Sequence, residues 1–226
     1  MNKVLQMLKL QQELNDTTNG KDWEEGFTKN NKPINWNRCI YLECAELIES
    51  YPWKHWKDIN AQPDYDNIKI EVVDIWHFIM SQALKEYKRK SLGSIEDLSK
   101  MIESLPNFEL FKSCDACIEE DIYTQMSVIE ILVKDIFCEE PIEKIIQAFI
   151  DIAIQSKLNL NTVYELYVGK NVLNQFRQDH GYKEGTYNKL WDGEEDNAIM
   201  QNILKLDKNI TPKGLYKVLE TFYKRS

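Results

Sequence analysis

Glycine and proline are scarce, 8 and 6 residues in a chain of 226, and no stretch sustains the apolar–polar alternation of a half-buried strand. A sheet-based fold is disfavoured, and the long runs of Leu, Ile, Glu and Lys favour helices instead. No segment approaches the roughly 18 consecutive apolar residues of a membrane span. The opening residues, Met1-Asn-Lys-Val-Leu-Gln-Met7, contain no apolar core of signal-peptide length, so a cytoplasmic protein with no membrane partner is expected. Basic side chains are in deficit, 28 Lys and Arg against 37 Asp and Glu, for a net charge of −9. That balance argues against a nucleic-acid polymer as partner, because affinity for a phosphate backbone comes from Lys and Arg. A small anionic nucleotide carried with a cation stays compatible. Five cysteines are an odd number, which points to reduced thiols and not to a disulfide framework. Cys114-Asp-Ala-Cys117 has no second pair and no nearby histidine to complete a zinc site, so its role is structural or incidental.

What is present is helical periodicity and enough apolar sequence, 43% of residues, for a sizeable core. Val4, Leu5, Leu8 and Leu14 predict an amphipathic helix over 3–15, ending before Asp16-Thr-Thr-Asn-Gly20. A polar loop reaches Pro33. A helix is predicted over about 35–50, stopped by Tyr51-Pro52, and a long one over 65–90 with a basic end at Lys85, Lys88, Arg89 and Lys90. Residues 91–116 are the least patterned and read as a connector or short helices. Further helices are predicted over 118–137, over 142–158 with Pro141 at its start, over 161–178, and near 194–206 and 212–224, with a loop over 180–193. The expectation is one all-α helical bundle spanning 1–226, without internal repeats or low-complexity tracts.

Two pairs of acids stand out: Glu43-x-x-Glu46 and Glu71-x-x-Asp74. Three residues along a helix is about 60° of rotation, so each pair projects from one face. Their neighbours are apolar (Ile40, Leu42, Ala45, Leu47 and Ile48; Val72, Val73, Ile75, Trp76, Phe78 and Ile79), which predicts largely buried helices. Two unit charges about 5 Å apart repel by roughly 3 kcal/mol at an effective dielectric near 20. Four crowded carboxylates therefore call for a hard divalent cation, Mg²⁺ or Mn²⁺, which binds through a few carboxylates and leaves positions for substrate phosphates. The chemistry implied is a polyphosphate site. Glu49 continues the first face, and His77 occupies the matching step after Asp74; either could orient ligands, and His77 could equally be a hydrogen-bonded core histidine.

These motifs resemble the signature of the all-α nucleoside triphosphate pyrophosphohydrolases and, more narrowly, the dimeric dUTPase family. The resemblance runs through Leu10-Gln-Gln-Glu-Leu-Asn15, Trp36-Asn-Arg-Cys39 to Ser50, Trp53-Lys-His-Trp56, Glu71 to Phe78, and Gly169-Lys-Asn-Val-Leu-Asn-Gln-Phe-Arg177 to Glu195-Asp-Asn197. It implies that Glu43, Glu46, Glu71 and Asp74 hold Mg²⁺ on a triphosphate, that dUTP and dUDP are cut to dUMP, and that Gln11 and Asn15 face the base. Amides that read a donor–acceptor edge discriminate strongly, because a wrong base leaves buried polar groups unpaired. For the proton-accepting carboxylate the candidates are Glu46, then Glu43 or Glu49. Lys54 and His77 join the substrate-binding candidates. Trp53 and Trp56 offer stacking surfaces or packing, and Trp36 is assigned to packing.

A second cluster lies late in the chain. Lys170, Asn174 and Arg177 fall at helical spacings of four and three and share a face. Lys183, Tyr187, Lys189 and Asn197 follow, around a loop with Gly181 and Gly185. Arg forks and Lys charges suit phosphate oxygens, and the glycines allow a loop to close. A homodimer is expected, from the resemblance and from apolar surface in excess of one buried face per helix. Two other functions are compatible with these motifs: a related pyrophosphohydrolase for another nucleotide, and a helical interaction protein without catalysis.

Overall fold

The computed structural model describes residues 2–58, 60–113 and 121–224; Cys114 and Cys117 lie outside them. Among these residues the fold is all-α, with one two-residue hairpin. The helices are α1 (Lys3–Asn19), α2 (Trp36–Glu49), α3 (Tyr65–Lys90), α4 (Ile95–Glu103), α5 (Phe108–Ser113), α6 (Ile122–Phe137), α7 (Ile142–Gln155), α8 (Leu160–Asp179), α9 (Asp196–Leu206) and α10 (Pro212–Tyr223); the hairpin joins β1 (Leu190–Trp191) to β2 (Glu194–Glu195). The chain divides into two compact units, Met1–Val163 and Tyr164–Ser226, with the division inside α8.

In the first unit α3 is the central rod. Its apolar residues lie all round the helix, as expected of an element covered on every side: Ile68, Ile70, Val72, Val73, Ile75, Trp76, Ile79, Met80, Ala83 and Leu84 are buried. It packs against α1, α2, α4, α7 and a short 3-10 turn at Trp23–Glu25. Trp76 stacks on Phe149 of α7 with centroids 4.4 Å apart, and Trp36 lies between Trp23 (5.8 Å) and Phe78 (6.0 Å), the packing role expected of it.

Local signals explain the boundaries. Asn35 caps α2 by accepting from the Arg38 N–H at 2.9 Å, and Asp64 caps α3 by accepting from the Asn67 N–H at 3.0 Å, each satisfying an orphan donor of the first turn. Helix α1 runs to Asn19, four residues past its predicted end. Asp16 holds the extra turn: its carboxylate accepts from Gln12 and from the Trp23 indole, both at 3.0 Å, and its carbonyl accepts from the Gly20 N–H. The predicted connector resolves into α4 and α5. Among the described residues no helix is long and apolar enough to cross a membrane. Cys39, Cys44 and Cys138 are free thiols, and burial pushes the Cys44 thiol well above its ordinary range.

In the second unit α9 and α10 pack together. The hairpin pairs Leu190 with Glu195 and Trp191 with Glu194. Its turn, Asp192-Gly193, has positive φ at both positions (50° and 88°), the backbone that a tight two-residue hairpin requires and that Asp-Gly supplies. The expected loop over 180–193 is thus interrupted by a strand pair too short to leave an alternation in the sequence.

Candidate active site

The acid helices meet. α2 packs on α3 as well as on α6, burying Ile40, Cys44 and Leu47, and Glu43 and Glu46 converge on Glu71. One carboxylate oxygen from each of Glu43, Glu46 and Glu71 lies within 4.8 Å of the others. Asp74, half-buried one turn further along α3, is not among these three. The expectation that the acids are buried holds only for Glu71, at 6% exposure; Glu43 is half-buried and Glu46 and Glu49 are exposed. The reason is the narrow packing stripe of α2, which buries every third or fourth residue and leaves the flanking face open. Glu49 forms an ion pair with Lys54, and Lys54 also lies 5.5 Å from the centre of the Trp53 ring. Trp53 meets the exposed Trp56 edge-on at 5.6 Å.

Gln11, Asn15 and His77 are buried in a network whose hub is Ser81. The Ser81 hydroxyl donates to the His77 carbonyl at 2.8 Å and accepts from Gln11 Nε2 at 3.0 Å and Asn15 Nδ2 at 2.9 Å. One proton given and two lone pairs filled is all a hydroxyl can do. Gln11 must then turn its Oε1 to His77 Nδ1, 2.7 Å away, and since a carbonyl oxygen only accepts, Nδ1 carries the proton. The chain fixes the imidazole orientation through an amide on another helix. Ser81 is not among the residues that the sequence singles out; its one signal is a serine four residues beyond His77, next to the apolar run Phe78-Ile-Met80.

In the second unit Arg177 is held by a buried fork. Its Nε and Nη2 donate to the two oxygens of Asp196 at 2.9 and 2.7 Å, and Nη1 reaches Asn174 Oδ1 at 3.3 Å. Asp196 is fully buried and also accepts from the Tyr187 hydroxyl at 2.8 Å; burial, then the Asp196 charge, push that phenol far above its ordinary range. Lys170, at 3% exposure, donates to Asn197 Oδ1 at 2.9 Å. Lys183 and Lys189 are exposed, with Lys189 placed 5.7 Å from the Tyr182 ring centre. The helical face Lys170, Asn174 and Arg177 is therefore present as spaced, but its cations are met by Asp196 and Asn197. Asp196, seen in the sequence only as a neighbour of Asn197, organises the cluster.

An all-α fold in which Glu43, Glu46 and Glu71 converge from two packed helices fits a class of helical hydrolases of phosphorylated nucleotides. A family model described as dUTPase matches residues 3–182, and the chain belongs to that family. Its activity is that of a dUTP diphosphatase, which hydrolyses dUTP. Comparison with curated proteins gives no match. The matched region takes in Gln11, Asn15, both acid pairs, Lys170, Asn174 and Arg177, and ends before Lys183, Tyr187, Lys189, Asp196 and Asn197.

Proposed function

We propose that this dUTP diphosphatase works with a divalent cation, Mg²⁺ or Mn²⁺, held by Glu43, Glu46 and Glu71 with Asp74 beside them, and that it accepts dUDP as well as dUTP. The observation that supports this is the convergence of three carboxylate oxygens within 4.8 Å. The donor set fits: all three are hard oxygens, and ligands about 2.1 Å from one octahedral ion stand roughly 3 to 4 Å apart, a small side-chain adjustment away. When bound, the cation neutralises the acids and the phosphate oxygens and polarises the phosphorus under attack.

The protein's own side chains do the rest. Glu46, exposed to solvent where Glu71 is not, accepts the proton of the attacking water, with Glu43 or Glu49 as the nearest substitutes. As the water oxygen bonds to the α-phosphorus, the bond from that phosphorus to the bridging oxygen breaks; dUMP leaves with pyrophosphate from dUTP or with phosphate from dUDP. Gln11, Asn15 and His77, locked through Ser81, read the base edge, and Trp53 and Lys54 flank the substrate. Lys170, Asn174, Arg177, Lys183, Tyr187, Lys189 and Asn197 serve phosphate oxygens. The free thiols suit a reducing, cytoplasmic location. A homodimer is part of this reading: Tyr41 and Leu42 of α2 and Ile131 and Phe137 of α6 are exposed apolar side chains, with the Tyr41 and Phe137 rings 5.7 Å apart, and α2 also carries Glu46.

The test is hydrolysis by purified protein against dUTP, dUDP, dCTP and dTTP, with and without Mg²⁺. Wild type should cleave the two deoxyuridine nucleotides only when the cation is present, and Glu46→Gln should lose at least about a hundredfold in kcat. Full activity in a chelator, or in the Glu46 variant, would remove the assignment. Sedimentation of Phe137→Glu should show a monomer where wild type is a dimer.

A further inference from the structure

The C-terminal half of α3 and the start of α2 border an open cavity of about 540 Å³. Trp36, Asn37, Gln82, Lys85 and Arg89 line it together with the Glu86–Lys90 ion pair, and none of them belongs to the acid triad or to the Ser81 network. Along α3, Lys85 lies fourteen residues beyond Glu71, roughly 21 Å at 1.5 Å per residue. Lys85 and Arg89 are four residues apart on one helix face, the spacing at which like charges repel. Among the described residues neither makes a hydrogen bond or ion pair, whereas the neighbouring Lys90 is paired with Glu86 at 2.5 Å. Lys85 is also half-buried, its Nζ close over the Gly26 backbone, where a β-carbon would come within 3.5 Å of it. Burial first, then the Arg89 charge, hold its ammonium below the ordinary lysine range.

Two adjacent cations without anions, one of them partly desolvated, are a local deficit that a small anion repairs. The walls add amide groups from Asn37 and Gln82, and the Gln82 Oε1 and Trp36 Nε1 atoms have no hydrogen-bond partner among the described residues. A second cavity of about 550 Å³ shares Asn37, Gln82, Glu86 and Lys90 with the first and is bordered by Glu139, Glu140 and Glu143. Those three acids border only the second cavity, Lys85 and Arg89 line only the first, and the one acid that both share, Glu86, is already paired with Lys90, so the first cavity is the seat for an anion.

We propose that this cavity is a binding site for a small phosphate-bearing anion, separate from the catalytic carboxylates, with Lys85 and Arg89 as its charge-bearing ligands. The phosphate group sits between the ammonium and the guanidinium, with the amides of Asn37 and Gln82 alongside. Inorganic phosphate, pyrophosphate and dUMP share this chemistry and fit the volume, and the test separates them.

The test uses the full chain with ¹⁵N-labelled tryptophan, in chelator so that no divalent cation supports binding at the acids. The Trp36 indole cross-peak is identified by its loss in Trp36→Phe. On titration with each of the three anions, the Trp36 signal should shift and saturate for at least one; the tightest identifies the source. Lys85→Gln and Arg89→Gln should each weaken binding roughly tenfold, the loss expected for one charge-assisted contact, and the double variant should not respond. Because both variants relieve a repulsion, each should melt at or above the wild-type temperature without anion and lose the anion-induced rise. A Trp36 signal that stays still for all three anions, or variants that titrate like wild type, would overturn the site. Neither outcome depends on dUTP hydrolysis, so failure here leaves the catalytic reading intact, and loss of hydrolysis in Glu46→Gln does not touch this one.

Discussion

Replacing Glu71 by Gln should make the metal-free protein more stable while disabling it. The three carboxylate oxygens lie within 4.8 Å of one another, so each pair repels by about 3.5 kcal/mol at an effective dielectric of 20 and about 0.9 kcal/mol in bulk water. Glu71 is buried but Glu46 is exposed, which places the true value between these limits, toward the lower one. Removing the Glu71 charge relieves two of the three pairs and keeps the side-chain shape. After allowance for a hydrogen bond weakened by losing its charge, the net gain is about 2 kcal/mol. For a chain of this size that is a rise of roughly 4–8 °C in Tm. Calorimetry in chelator reads this gain, and a second scan in Mg²⁺ should show wild type rising and the variant hardly moving, by mass action. Hydrolysis of dUTP, followed by pyrophosphate release, should fall by more than about a hundredfold, since even the groups that merely orient metal ligands are worth 10–100-fold. A metal-free variant less stable than wild type, together with an unchanged response to Mg²⁺, would refute the reasoning from electrostatic crowding.

Three further outcomes follow from the geometry. Ser81→Ala leaves two buried amide donors, on Gln11 and Asn15, without their acceptor; denaturant unfolding should report a loss of about 2–4 kcal/mol, and KM for dUTP should rise more than kcat falls. Asp196→Ala strands the buried Arg177 guanidinium and should cost about 3–5 kcal/mol, read as early hydrogen exchange in α8 and α9, while Asp196→Glu recovers part of it. Asp97 accepts from the Ser94 N–H and hydroxyl in a capping box, and these bonds, the backbone one first, bring its carboxyl down to about 2. Its contribution to α4 is therefore complete above its ordinary value near 3.8 and lost as pH falls through about 2; carbon-detected NMR titration should find that midpoint low in wild type and raised in Ser94→Ala.

What the sequence disclosed was whatever short-range chemistry determines. The bounds of α2 and α3 are written in Asn35, Asp64 and the apolar stripes between their caps, and the acid pairs follow from helical rotation alone. What escaped depended on partners distant in the chain. Asp16 prolongs α1 because Trp23 folds back onto it, and nothing within α1 announces that. Ser81 is a lone small polar residue until α1 is laid across α3. Arg177 and Asp196 are 19 residues apart, so a face legible as cationic proved to be neutralised from the next helix. Glu46 is exposed where a buried acid is expected, because apolar neighbours mark a buried stripe without giving its width.

The anchoring of Arg177 bears on how this protein can be shortened. Its counter-charge, Asp196, and the phenol of Tyr187 that braces that acid both lie after residue 182, where the family match stops. A chain cut back to the shared portion would retain the guanidinium and discard its clasp, exchanging a fixed fork for a wandering cation. The tail that looks dispensable by similarity is, in this fold, what gives that arginine an address.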